Sequence, residues 1–128
     1  MFENAITSTK QGDIGEAKAI YEYTRLGYGV CRTLFDSMKY DLIIDCNGQL
    51  KRVQVKTTRF KTKYGVYQVA LKTTGGNQSC TTVHKRKDED YDVLFVLADN
   101  GDSWSIPVTE FEAKTTLNLG EQFDKFKL

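Results

Sequence analysis

Three polar side chains, Asp41, Gln54 and Lys56, flank an Asn47-Gly48 pair, and their spacing makes a geometric statement. Asn-Gly between two β-rich runs is the strongest short-range signal for a two-residue hairpin turn. With that turn, Cys46 lies opposite Gln49 and Asp41 falls directly across from Gln54 on one face of the hairpin. Lys56, two residues beyond Gln54, returns to the same face by strand alternation. Leu42, Ile44, Val53 and Val55 then point to the opposite, apolar face. A bulge at the turn would shift this register.

An Asp carboxylate and a Gln amide oxygen are hard ligands suited to Mg²⁺, which keeps several waters and takes the phosphate oxygens of a substrate. An ammonium beside them can stabilise charge building on a phosphoryl group or orient an attacking water. Metal-assisted phosphodiester hydrolysis needs those parts and little else. The same spacing also fits the polar side of an ordinary half-buried hairpin, so residue types alone leave both readings open. Ser-His-Asp catalysis is unsupported, because no nucleophile elbow is present.

The elements that must carry these residues follow from periodicity and turn chemistry. Asp13 to Leu26 carries a helical apolar stripe, with Asp13 as N-cap, Glu16 three residues on and Gly27 as the stop. Tyr28 to Thr33 reads as a first strand and Leu34 to Lys39 as a loop. Tyr40 to Cys46 and Gln49 to Thr58 form the hairpin, and Tyr64 to Thr73 alternates as a third hairpin-connected strand. Thr74 to Gln78, containing Gly75-Gly76, reads as a flexible loop. Tyr91 to Ala98 suits a buried strand, and Asn100-Gly101 turns it into Ser103 to Val108. Val108 to Lys114 is expected as a short helix capped by Thr109, and Thr115 to Leu128 carries no clear signal. This order implies an α/β domain with a mixed sheet.

Bulk properties set the frame. A chain of 128 residues, 40% hydrophobic and 27% charged, suits one folded domain over 1–128. No apolar run approaches the roughly eighteen residues of a membrane span. Met1 to Gly15 lacks a basic segment followed by an apolar core. Cys31, Cys46 and Cys80 show no CxxC spacing, which argues against zinc and a disulfide framework. A cytoplasmic setting without a membrane partner is therefore expected. Net charge is only +1, but Lys51 to Lys87 holds ten Lys and Arg and no acid. Such segregation suits a polyanion partner, and equally a solvated face of amphipathic strands.

The run Tyr40-Asp41-Leu42-Ile43-Ile44-Asp45, followed by Arg52-Val53-Gln54-Val55-Lys56-Thr57-Thr58, resembles the signature of the PD-(D/E)XK nuclease superfamily. In that pattern an Asp precedes an acid-X-Lys on the next strand. The preceding helix with Glu16, and the later segments Tyr91 to Val96 and Trp104 to Val108, are similar to the corresponding parts of small members. The resemblance implies a restriction-endonuclease-like core, a mixed sheet flanked by helices in the order α-β-β-β-β then β-β-α. Asp41 resembles the central metal-binding aspartate and Lys56 the catalytic lysine. Gln54 takes the position usually held by Glu or Asp, and Glu16 resembles an additional helix acid. Asp41, Gln54, Glu16 and the Val55 backbone carbonyl are the implied ligands of Mg²⁺, with Mn²⁺ as a substitute. Tyr40 replaces the nominal proline. Gln54 removes one negative charge, and this variant is similar to that of intron-encoded homing endonucleases, while Glu16 resembles the helix acid that some members, including Holliday-junction resolvases, bring to the metal.

The implied activity is endonucleolytic hydrolysis of double-stranded or branched DNA by a homodimer or homotetramer, of homing type or, alternatively, of junction-resolving type. A decayed DNA-binding module and a binder of acidic partners are the competing readings. Arg59, Lys61 and Lys63, and Lys85, Arg86 and Lys87 beside His84, are the expected phosphate contacts, with Arg59 first among them. Glu16 fits a capping box as well as a metal site. Asp45 reads as a solvated acid beside the turn, and Ser37 and His84 as ordinary loop residues. Phe60, Tyr64, Tyr67, Phe95 and Trp104 are expected in the core.

Overall fold

In the computed structural model, which describes residues 1–77 and 80–128 and side chains outside 73–83, the chain opens with helix α1, Ser8–Arg25. The helix starts earlier than its apolar stripe. Thr7 is the N-cap, its Oγ1 accepting from Lys10 N at 3.0 Å. The first turn is polar and exposed, so hydrophobic periodicity could not reveal it. Asp13 therefore lies inside the helix and the expected Asp13–Glu16 capping box does not form, which frees the Glu16 carboxylate. The stop is where the sequence places it: Gly27 has φ +89°, and Tyr28 N donates to Tyr23 O at 3.0 Å.

Among the described residues nine strands follow: β1 Gly29–Arg32, β2 Leu42–Cys46, β3 Gln49–Thr58, β4 Gln68–Ala70, β5 Thr73–Asn77, β6 Cys80–His84, β7 Val93–Ala98, β8 Ser103–Pro107 and β9 Thr116–Asn118. The central sheet has the order β1-β2-β3-β7-β8, antiparallel except for the parallel pair β3–β7. Asn47 and Gly48 both have positive φ (55° and 92°), as a type I′ turn requires. The hairpin pairs from Cys46↔Gln49 to Leu42↔Val53 without a bulge, so the expected register holds.

Tyr64 to Thr73 is not a third hairpin strand on β3. The chain turns through Thr62 N→Val66 O and Gly65 (φ +77°), and the short β4 pairs with β9 instead. The open edge of β3 goes to β7, whose six residues are all buried, because an apolar run needs cover on both faces. Thr74 to Asn77, expected as loop, belongs to β5 and pairs with β6; Gln78 lies outside the described residues. Val108 to Lys114 is not a helix capped by Thr109. Only a 3₁₀ turn forms, Val108–Glu110, with Pro107 as N-cap and no side-chain cap.

Alternation along β7 divides the core in two. Val93, Phe95 and Leu97 join Phe2, Ala19, Tyr23, Leu42, Ile44 and Val53 under α1. Leu94, Val96 and Ala98 join Trp104, Ile106, Val69, Leu71, Leu117 and Phe123 on the reverse side. Each large apolar side chain buried this way contributes roughly 1.5–3 kcal/mol. Among the described residues a single helix, α1, therefore flanks one face, while β4, β9 and 3₁₀ turns cover the other. Trp104 and Phe95 are core, as expected.

Candidate active site

β3 runs through the middle of the sheet, and its second half is where β2 leaves it. Antiparallel pairing reaches Leu42↔Val53, Asp41 N donates to Val53 O at 2.8 Å, and the preceding chain then departs. The next β3 amide on that edge, Val55 N, has lost its strand partner. Asp41 Oδ2 accepts from it at 2.8 Å, so the carboxylate takes the place of the missing ladder bond. The same oxygen accepts from Gln54 Nε2 at 3.0 Å, and that nitrogen also donates to Val55 O at 3.2 Å. Gln54 and Lys56 pair with Leu94 and Val96 of β7, on the side of the second core, so this face is half-buried, not open to solvent.

That placement sets the electrostatics. Burial raises the Asp41 carboxyl above the usual carboxylate range, with the charges of Glu16 and Asp36 adding to the rise, while the Val55 N–H and Lys56 oppose it. Burial lowers the Lys56 ammonium, and Asp41 resists the change. Asp41, Glu16, Asp36 and Arg32 line one cleft, and Gln54 and Lys56 line a basic pocket with Lys39, His84, Lys85 and Arg86. The Gln54–Asp41 hydrogen bond lies where the two meet. Such perturbed, mutually opposed groups in a cleft mark functional sites.

The helix brings in its acid through close packing. Gly15 is buried against β3, and a Cβ there would clash with Thr57 Cγ2; Gln11 Nε2 donates to Thr57 Oγ1 at 2.8 Å. Glu16, the next residue, reaches the Asp41 cleft, where Arg32 Nε donates to its Oε1 at 2.8 Å.

Among the described residues, no three His, Cys, Asp or Glu side chains stand together as metal ligands. The donor set is instead mixed and all oxygen. Asp41 Oδ2 and Val55 O converge on the Gln54 amide nitrogen, a point where a cation would satisfy both. Turning the amide over would face Gln54 Oε1 toward those two oxygens, and a cation held among the three would have the hard oxygen ligands that suit an ion of the magnesium type.

The expected phosphate contacts separate into two groups. Lys61, Lys63, Lys85 and Lys87 are exposed. Arg59 is committed elsewhere: its guanidinium donates to Gln11 Oε1 (2.8 Å), Phe2 O (2.9 Å) and Ala5 O (3.3 Å) and anchors the N-terminus. Arg86 is 3% exposed and lies in the wall of the basic pocket. Phe60 and Tyr64 are 60% and 80% exposed, so they stand beside the exposed lysines, unlike the buried Tyr67. Asp45 accepts from Gly48 N at 2.7 Å and supports the turn. No local signal in the sequence marks Arg32, Asp36, Lys39 and Tyr91, which the end of β1 and loops from elsewhere in the chain bring to the site.

The helix packed on a mixed sheet, with Asp41 and Gln54-X-Lys56 at the parting of two strands, defines a nuclease-type core. Residues 6–125 match the PD-(D/E)XK endonuclease family, and the chain belongs to that family. It is 31% identical over 119 residues to Protein 5.3 of Escherichia phage T7, covering 91% of this chain and 94% of that protein. A solved bacterial homing endonuclease, I-Ssp6803I, is similar in structure, with a TM-score of 0.77 and 28% identity over 90% of this chain and 79% of its own. Among the described residues, no helix is long and apolar enough to cross a membrane.

Proposed function

We propose that residues 1–128 form one nuclease domain that hydrolyses DNA phosphodiester bonds with Mg²⁺, or Mn²⁺ in its place, and that its cleavage is of homing type. The observation that carries this reading is the convergence of Asp41 Oδ2 and Val55 O on the Gln54 amide, within a family whose fold the chain shares. Asp41, Gln54 and the Val55 carbonyl would hold the cation, and Glu16 would join them on release from Arg32. A bound divalent cation supplies Lewis acidity and a more acidic water. Lys56 stabilises negative charge on the phosphate under attack and orients the water. Its partial burial, which weakens competing solvation, makes that interaction stronger. Lys61, Lys63, Lys85 and Lys87 hold the flanking phosphates. A domain this small contacts too little DNA to read a long site alone, so a homodimer or homotetramer is part of the proposal.

Similarity to a homing endonuclease favours duplex cleavage over junction resolution. Incubation with Mg²⁺ and either a long duplex library or a four-way junction separates the two. Discrete duplex cuts are expected; preferential cutting of the junction would establish the resolvase alternative. Gln54 in place of an acid favours a second reading, a DNA-binding module without catalysis. Salt-dependent DNA binding with no product at any Mg²⁺ or Mn²⁺ concentration would establish that one.

A further inference from the structure

The basic pocket beside Lys56 contains polar groups that the fold itself leaves unserved. Arg86, in the loop before β7, is 3% exposed. Its Nε donates to Ala113 O at 3.0 Å and its guanidinium lies 4.5 Å over the Phe111 ring. These contacts fix the side chain but use one donor. Nη1 is 3.1 Å from Asp88 Oδ1 without the alignment of a hydrogen bond, and neither Nη1 nor Nη2 has a hydrogen-bond partner. Tyr91, also 3% exposed, has an unpartnered hydroxyl. Arg86 and Tyr91 line the same pocket. Buried donors without partners each cost about 1–3 kcal/mol, and native proteins rarely carry them without a reason.

Both groups line the pocket that also holds Lys39, Lys56 and Lys85. Its one acid, Asp90, already accepts from Lys87 N at 2.9 Å. The enclosed part has room for about one water-sized group. A cationic recess of that size, lined by a guanidinium fork and a hydroxyl, suits one oxygen of an anion whose remaining atoms sit at the mouth. Trapped water would satisfy the hydroxyl, but against Arg86, Lys39, Lys56 and Lys85 the nearby acids are Asp88 and Asp90, so the recess stays net positive.

We propose that Arg86 and Tyr91 form a subsite for a non-bridging oxygen of a DNA phosphate next to the one cleaved, held beside Lys56. This rests on the nuclease reading for the identity of the phosphate, while the anion site rests on the pocket. The test uses the full chain in EDTA, so that no cleavage enters. Thermal stabilisation by inorganic phosphate is compared with chloride at equal ionic strength, and affinity for a fluorescent duplex is titrated. Tyr91→Phe is the main variant, because it deletes only the unpartnered hydroxyl and should leave the free protein at least as stable. It is expected to reduce phosphate stabilisation and to weaken duplex binding by roughly five- to tenfold. Arg86→Gln, which removes the charge, should lower the salt dependence of duplex binding by about one phosphate contact.

Wild-type binding of phosphate and duplex in Tyr91→Phe, or no phosphate effect on the wild-type chain beyond chloride, would overturn the proposal. So would a Tyr91→Phe effect on phosphate alone, which would assign the pocket to a free anion. The expected binding results from a wild-type protein that cuts nothing in Mg²⁺ would sustain the subsite and sink the nuclease reading.

Discussion

Gln54→Glu is the substitution through which the site can be read most fully. It restores the acid at this position of the family pattern, yet the geometry makes it costly without metal. Gln54 Nε2 donates to Asp41 Oδ2 at 3.0 Å and to Val55 O at 3.2 Å. A glutamate in the same rotamer exchanges two attractive contacts for two oxygen–oxygen repulsions. Two full charges about 3 Å apart repel by roughly 5–6 kcal/mol at an effective dielectric near 20. The protein can escape by keeping one proton on the pair, which from an ordinary glutamate value costs about 4 kcal/mol at pH 7. The cheaper route sets the ceiling, and side-chain rearrangement lowers it, so a loss of about 2–4 kcal/mol is expected in EDTA at pH 7.

The sign with pH follows. The shared carboxyl has a folded pKa above its unfolded one, so the deficit is absent below about pH 4 and grows as pH rises toward neutrality. A divalent cation held among these oxygens offsets the repulsion, so Gln54→Glu should gain more stability from Mn²⁺ than the wild-type chain does. Urea denaturation at pH 4.5 and 7, with EDTA or Mn²⁺, measures all of this. A variant as stable as wild type in EDTA at pH 7, with no added response to Mn²⁺, would refute the placement of Gln54 against Asp41 and Val55.

Three further outcomes follow from the packing. Gly15→Ala places a methyl group against Thr57 Cγ2 and should destabilise the chain by about 1–3 kcal/mol; chemical denaturation reads the loss, and a neutral result would mean that α1 does not lie this close to β3. Lys56→Met should abolish cleavage yet raise the Tm by roughly 3–5 °C at pH 7, for a gain on the order of 1 kcal/mol, because burial disfavours the ammonium. That gain belongs to pH values below the lowered folded pKa and fades as pH approaches 10, where the unfolded lysine also loses its proton; calorimetry at pH 7 and 10 checks it. Arg59→Ala should cost about 1–3 kcal/mol of stability by releasing Phe2 and Ala5, with little change in the salt dependence of DNA binding. Lys61→Ala with Lys63→Ala should do the reverse, lowering the salt slope by about two with the fold intact.

How far the sequence revealed this protein depended on whether the signal was local. The Asn47-Gly48 turn requires two residues with positive φ, which those residue types supply, and from it the Asp41–Gln54–Lys56 arrangement followed by counting. The first turn of α1 was hidden because Ser8 to Gly12 is polar and its cap, Thr7, looks like any loop threonine. β5 contains Gly75 and Gly76, and glycines carry no alternation to read. Lys85-Arg86-Lys87 reads as a solvated run, yet Phe111 and Ala113, far along the chain, bury its middle residue. Arg59 is comparable: its partners lie at the N-terminus, and no spacing rule links position 59 to Phe2 or Ala5. Exposed Phe60 and Tyr64 show the opposite error, since an aromatic in an alternating run reads as core until the turn at Gly65 carries it outward.

The central claim, that Asp41 and Lys56 carry a metal-dependent cleavage site, is tested most directly by single-turnover cleavage of duplex DNA in Mg²⁺. Wild type should be compared with Asp41→Ala and Lys56→Ala, each first shown to be folded and to bind DNA. The account predicts product from the wild-type protein, none in EDTA, and a loss of at least about a hundredfold in each variant. Cleavage that persists undiminished in both variants would contradict it.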